Sequence, residues 1–291
     1  MKQTTGVDLP YFDVLLKELS ANEKPADDAM GLHVHWGYWD DPRQPDLSIP
    51  GIRKAADGLT QQLFNQAKLK DGLRILDVGC GFGGAISMLN ERHSLTDLVG
   101  VNIDGRQLEV ARSHVQARAT NSVKFVEASA CELPFENRSF DTVFAVECIF
   151  HFPSKETFIR EALRVLKPGG RLVFSDFVIY GPTIPLLIPL ALTYGRAMTK
   201  VYGANQEAAY TRLNYKILAK KLNFPISAIR DITANTMPTY QALRDLWIDQ
   251  KTSQPEQRAW IHLFKKANRF LWLCALLRFI RYTVISYEKP A

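Results

Sequence analysis

From residue 74 onward, short runs of apolar, β-branched residues alternate with segments in which apolar positions recur every three to four residues. The first pattern belongs to buried strands and the second to helices with one buried face, so the alternation predicts βαβ units and a parallel sheet. Strands are predicted at 74–78 (RILDV), 97–102 (DLVGVN), 123–127 (VKFVE), 141–146 (DTVFAV) and 171–177 (RLVFSDF), with helices at 83–91, 105–117 and 154–166. The last helix ends on Lys167, Pro168, Gly169 and Gly170, a basic turn, a breaker and two permissive residues. About seventy residues of helix and loop come first, including GLHVHWGYWDDP at 31–42. After Phe177, two helical, aromatic-rich stretches (181–225 and 236–280) flank a strand at 226–233, and RYTVISYEKP (281–290) supplies a final strand. Insertions at the carboxyl end of a parallel sheet lie over the crevice where such sheets bind ligands, so these stretches are expected to be lids.

Composition narrows the class. Hydrophobic residues make up 46% of the 291 and charged residues 23%, a globular balance that excludes a disordered or collagen-like chain. The net charge is +6, and residues 251–291, with eight Lys or Arg against Glu256 and Glu288, account for all of it. A neutral first 250 residues argues against a nucleic-acid binder and leaves a peripheral membrane or partner contact open for the basic tail. Four scattered cysteines without a CxxC pair point to a reduced, cytoplasmic protein without structural zinc. No secretory signal is read at the N-terminus. Prolines interrupt the uncharged stretch after Phe177, and FLWLCALL (270–277) is too short to span a bilayer.

The most informative passage is ILDVGCGFGG (75–84). A strand runs into Gly79, Gly81 and Gly83 and then into a helix, which brings backbone amides against a ligand where a Cβ would collide. Gly79, Gly81 and Gly84 also satisfy the dinucleotide pattern GxGxxG, so an NAD-dependent oxidoreductase stays open at this point. Asp77 suits a ligand that presents an ammonium group, and Asn102, at the end of the second strand, suits ribose hydroxyls.

Together, ILDVGCGFGG, VGVNIDGRQLEVAR (99–112), CELPFENRSFDTVFAVECIFHF (131–152), EALRVLKPGGRLVFSDF (161–177) and RYTVISYEKP resemble the class I S-adenosylmethionine-dependent methyltransferases. The likeness is to the small-molecule branch of sterol and tocopherol, sarcosine-type and sugar O-methyltransferases. It implies a Rossmann-like α/β fold: a seven-stranded, mostly parallel sheet with helices on both faces, an N-terminal helical flap and helical lids. Residues 1–70 would form cap and flap, 71–180 the S-adenosyl-L-methionine-binding core, and 181–291 the lid helices with the last two strands of the same domain. It also implies that Asp77, Gly79, Cys80 and Gly81 hold the methionine portion, that Asn102 and Gln107 meet the ribose, and that Ser129, Ala130 and Cys131 read the adenine, with Val146 nearby. Ser129 stands where relatives often carry Asp, and Asn102 where many carry an acid. Tyr38, in the flap, would meet the sulfonium.

Methyl transfer to a hydroxyl needs alignment, a dry site and a base. The resemblance places His151 as that base and Asp176 as its orienter. Glu147 could accept from the cofactor ammonium or steady a carbocation, and the second role leads to an alternative, C-methylation of an alkene. His33 and His35 alternate without further ligands and make a poor metal pair. The apolar lid stretches favour a lipophilic or amphipathic acceptor from secondary metabolism. The basic tail is expected to flank the substrate entrance or to rest on an anionic surface.

Overall fold

The computed structural model describes residues 31–202, 210–248 and 255–291. The helical reading of residues 1–30, and Lys251 of the basic tail, lie outside the described residues.

A first helix, α1 (Ile49–Ala67), is capped by the Ser48 side chain and buries the stripe Ile52, Ala56, Leu59, Leu63 and Phe64. Five parallel strands follow, β1 (Arg74–Val78), β2 (Asp97–Asn102), β3 (Ser122–Glu127), β4 (Phe140–Ala145) and β5 (Leu166–Ile179), with α2 (Gly84–Arg92), α3 (Gly105–His114) and α4 (Lys155–Val165) as crossovers. Asp104 and Ser154 cap α3 and α4 through their side chains. Strand β5 starts five residues earlier than the glycine pair suggests: Leu166 pairs with Phe140, and the register shifts before Thr142 meets Arg171. The breaker residues are absorbed as a strand irregularity, with the Gly169 amide donating to the Lys289 carbonyl.

Beyond β5 come α5 (Ile184–Tyr202), α6 (Arg212–Lys221), β6 (Ile226–Asp231), the short turns α7 (Thr233–Thr236) and α8 (Pro238–Leu243), α9 (Pro255–Leu276) and β7 (Ile280–Glu288). The sheet order is β3-β2-β1-β4-β5-β7-β6, with β7 antiparallel to both neighbours. The seven-stranded, mostly parallel α/β sheet is therefore the one the sequence predicts. Near-continuous apolar strands such as Val143–Ala145 and Leu172–Phe174 are buried on both faces, as parallel strands must be. One core lies between the sheet and α1, α2, α3 and α9, the other between the sheet and α4 and α6.

Candidate active site

Strand order reverses between β1 and β4, and the crevice outside the carboxyl ends at such a switch point is where open α/β sheets bind ligands. A cleft of about 940 Å³, its open mouth included, lies there. Its walls come from residues 77–81, 101–103 with Gln107, 128–130, 146–148 with 151–153, and the flap at 32–35. Of the residues read from the sequence, Asp77, Gly79, Cys80, Gly81, Asn102 and Gln107 line it, as do Ser129, Ala130, Val146, Glu147 and His151.

The glycine loop is shaped by close contacts. Gly79 has φ +77°, and a Cβ there would sit 2.6 Å from Cys148 Sγ, which itself donates to the Val78 carbonyl at 3.1 Å. Gly83, at φ +87°, starts α2 and lets Val115 and Phe125 close on it. Burial pushes the Cys80 and Cys148 thiols up, which disqualifies both as thiolate nucleophiles.

Asp77 is buried at the end of β1 with its Oδ1 hydrogen-bonded to no protein group, and burial pushes its pKa up to about 7. A buried carboxylate oxygen facing a cleft fits a cationic ligand group such as the ammonium of S-adenosylmethionine. At the end of β2, Asn102 donates from Nδ2 to Gln107 Oε1 (3.0 Å) and accepts at Oδ1 from the Asp104 amide (3.2 Å), a preset amide pair on the wall. Ser129 Oγ is occupied by the Cys131 amide at 3.2 Å.

Glu147 has φ +51°, an uncommon conformation for a residue with a side chain. Its amide donates to Ser175 Oγ (2.8 Å), while its Oε2 accepts from the Trp36 amide (3.0 Å) and from the Tyr282 hydroxyl. Burial pushes its pKa up to about 8. His151 ends a single 3-10 turn, Ile149–His151, and burial pushes its pKa down to about 3, so the ring is neutral.

The expectations for Asp176, Tyr38 and Cys131 need correction. Asp176 does not orient His151: its Oδ2 accepts from Lys155 Nζ and from the Tyr215 hydroxyl, both at 2.6 Å, and its side chain is completely buried. Side chains alternate along a strand, and Ser175 and Phe177 take the face that meets Glu147, Trp36 and Tyr282. Asp176 must point to the α4–α6 side. Tyr38 and Cys131 are likewise not among the residues lining the cleft. Backbone bonds from Tyr38 to Ala55 (2.7 Å) and from Trp39 to Asn235 (3.0 Å) turn that part of the flap away, and the Cys131 thiol donates to the Ser154 carbonyl. None of the residues lining this cleft belongs to α5 or α9.

What the flap does contribute is His33 and His35, a poor metal pair by their spacing but part of the cleft wall. His33 Nε2 lies 2.9 Å from Asp57 Oδ1, His33 Nδ1 lies 2.9 Å from His35 Nε2, and His35 Nδ1 lies 2.9 Å from the Trp36 carbonyl. A carbonyl only accepts, so His35 carries its proton on Nδ1 and presents Nε2 as the acceptor for the Thr60 hydroxyl, 3.0 Å away. Burial, reinforced by His33, pushes the His35 pKa down to about 3. The partners Asp57 and Thr60 sit on α1, some 25 residues away, and no local spacing announces them.

A crevice at the switch point, an amide pair after β2 and an unsatisfied acid before the glycine turn make a Rossmann-like site for a ribose-bearing cofactor with a cationic group. The methyltransferase-domain family matches residues 76–174. The methyltransferase GfsG of Streptomyces halstedii is 32% identical over 212 residues, 72% of each chain. The 27-O-demethylrifamycin SV methyltransferase of Amycolatopsis mediterranei is 31% identical over 216 residues, 74% of each. The crystal structure of mycolic acid cyclopropane synthase CmaA1 with SAH and CTAB shares the fold, with a TM-score of 0.73, 14% identity and coverage of 94% of this chain and 98% of that one. The chain belongs to the S-adenosylmethionine-dependent methyltransferases, small-molecule branch. S-adenosylmethionine is its cofactor.

Proposed function

We propose that this methyltransferase acts on a hydroxyl of a lipophilic or amphipathic secondary metabolite, with His151 as the proton acceptor. The observation that carries this reading is a neutral imidazole on the wall of the same cleft as Asp77 and the glycine turn. The A. mediterranei relative, whose name describes an O-demethylated substrate, supports it.

The cofactor supplies an electrophilic methyl group when bound. Asp77 would hold its ammonium, Asn102 and Gln107 its ribose, and residues 128–130 its base. A hydroxyl that takes up this methyl group, with S-adenosylhomocysteine as the leaving product, would become strongly acidic at its oxygen. Its proton passes to His151, and a ring whose basicity burial has lowered still suffices at that stage. Asp176 takes no part.

Replacing His151 by Ala should lower kcat about 10²-fold with a panel of lipophilic alcohols and phenols and leave S-adenosylhomocysteine affinity nearly intact. Unchanged turnover would overturn the assignment. C-methylation is the second reading, favoured by the Glu147 carboxyl on the cleft wall, which an aromatic cluster of Trp36, Phe177 and Tyr282 backs. It requires Glu147→Ala to be more damaging than His151→Ala, with the methyl on carbon in the product.

A further inference from the structure

Helices α5 and α9 form an antiparallel pair on the outside of the molecule. Tyr194 stacks on Phe270 with ring centroids 5.0 Å apart, and Tyr202 meets Phe264 at 6.1 Å, so numbers rise along one helix as they fall along the other. The first half of α5 therefore lies beside the end of α9. The inner stripe of α5, Leu187, Leu190, Tyr194, Ala197 and Val201, packs inward at helical spacing. The remaining apolar residues of that half face solvent: Leu192 is 85% exposed, and Leu186 and Ile188 are 58% exposed.

The facing end of α9 repeats this. Trp272, Leu273, Leu276 and Leu277 are exposed side by side, making one apolar tip from two helices. Behind the tip the character of the same outward stripe changes. On α9 the exposed positions become Arg269, Lys265, His262 and Arg258, and on α5 they become Arg196 and Lys200. Lys266 lies over the Tyr194 ring at 5.3 Å. Arg278 follows directly after the tip and is exposed, while Arg281 sits between the Tyr180 ring and Asp231. No Asp or Glu occurs between Val178 and Gln206 or between Gln257 and Tyr287.

We infer that this helix pair docks on an anionic phospholipid bilayer, the apolar tip entering the acyl boundary and the basic collar resting on the headgroups. An apolar end with an acid-free cationic band behind it matches the layering of such a surface: hydrocarbon below, negative charge above. No described helix is long and apolar enough to cross a membrane, which fits a chain that lies on the surface. The basic half of the pair packs on the flap, through Met198, Tyr202 and Phe264 around the cleft residue Val34. Docking would thus place the cleft-bearing end of the sheet near the bilayer, within reach of a lipophilic acceptor.

Co-sedimentation of the full chain with vesicles of phosphatidylcholine alone, or mixed with phosphatidylglycerol, tests this. Binding to the mixed vesicles is expected, weak binding to the neutral ones, and a loss of about tenfold on raising salt well above physiological strength. Leu192→Asp with Leu276→Asp, and separately Lys265→Glu with Arg269→Glu, should each lower vesicle binding at least tenfold while S-adenosylhomocysteine affinity is kept. Leu192→Ser with Leu276→Ser provides a milder pair should the aspartates disturb folding. Failure of the wild-type chain to bind the mixed vesicles, or binding by the aspartate and serine pairs equal to wild type, would overturn the proposal. So would a dimer that the aspartate pair dissociates, since the face would then belong to a second copy.

Discussion

Asp77 combines two properties that are each costly in a folded protein: it is buried, and one of its carboxylate oxygens has no partner. Its pKa of about 7 lies above the ordinary carboxylate value, so below pH 7 the free enzyme holds a proton there. A bound ammonium favours the carboxylate and expels that proton. S-adenosylhomocysteine binding should therefore release close to one proton at pH 6 and almost none at pH 8, and affinity should rise with pH up to about 7 and then level off. Calorimetry in buffers of different ionisation enthalpy measures this directly. Asp77→Asn should abolish the release and weaken binding at least tenfold, about 1.4 kcal/mol. It should not lower Tm, because the substitution removes a buried carboxylate that no protein group satisfies. This residue was legible in the sequence because its signal is local: an acid at a strand end, two positions before a glycine turn.

At the level of elements, local pattern set the strands well and failed where partners come from afar. Strands β1 and β2 occupy the predicted residues because apolar runs and flanking turns delimit them. Position at the end of β5 suggests that Asp176 faces the cleft, whereas the period-two alternation from Ser175 to Phe177 puts it on the opposite face. Its true partners, Lys155 and Tyr215, lie 21 and 39 residues away. The leucines of α5 show the same limit: helical spacing from Leu187 to Val201 identifies the inner stripe, but nothing in that stretch says what the other face meets. The buried Lys155–Asp176–Tyr215 set ties α4 and α6 to the centre of the sheet. Lys155→Met should destabilise the protein by about 3–5 kcal/mol by leaving Asp176 buried without its cation. Lys155→Met with Asp176→Leu should recover most of that loss, since an apolar pair of similar volume carries no desolvation cost. Denaturant unfolding gives both numbers, and neither variant should change S-adenosylhomocysteine affinity.

At the scale of the whole molecule, Glu147 is where distant parts of the chain are joined. The flap at Trp36, β5 at Ser175 and the last parallel-breaking strand at Tyr282 all bond to this one residue beside the cleft. Its pKa is raised from the usual carboxylate value to about 8, so between roughly pH 4.5 and 8 the folded state holds a proton that the unfolded chain has lost. Stability from this group is therefore full at low pH and falls as pH rises through that window. The buried His35 and His151 act oppositely: with pKa values near 3 they stay neutral when folded, and they lower stability as pH falls below about 6.5. The two effects oppose each other from about pH 4.5 to 6.5, and Asp77, raised to about 7, adds to the Glu147 trend, so Tm should fall as pH rises above about 6.5, where the histidines no longer counteract it. Glu147→Gln keeps an oxygen for both donors but cannot ionise, so it should preserve Tm near pH 6 and flatten the decline toward pH 8. Glu147→Ala leaves the Trp36 amide and the Tyr282 hydroxyl without an acceptor, at about 1–3 kcal/mol for each buried group, and should lower Tm at every pH. A Tm–pH profile in which Gln and Ala behave alike would mean that the carboxyl oxygen does not hold the flap to the sheet. The expected divergence would place the tie between flap and sheet in a single hydrogen-bonded side chain.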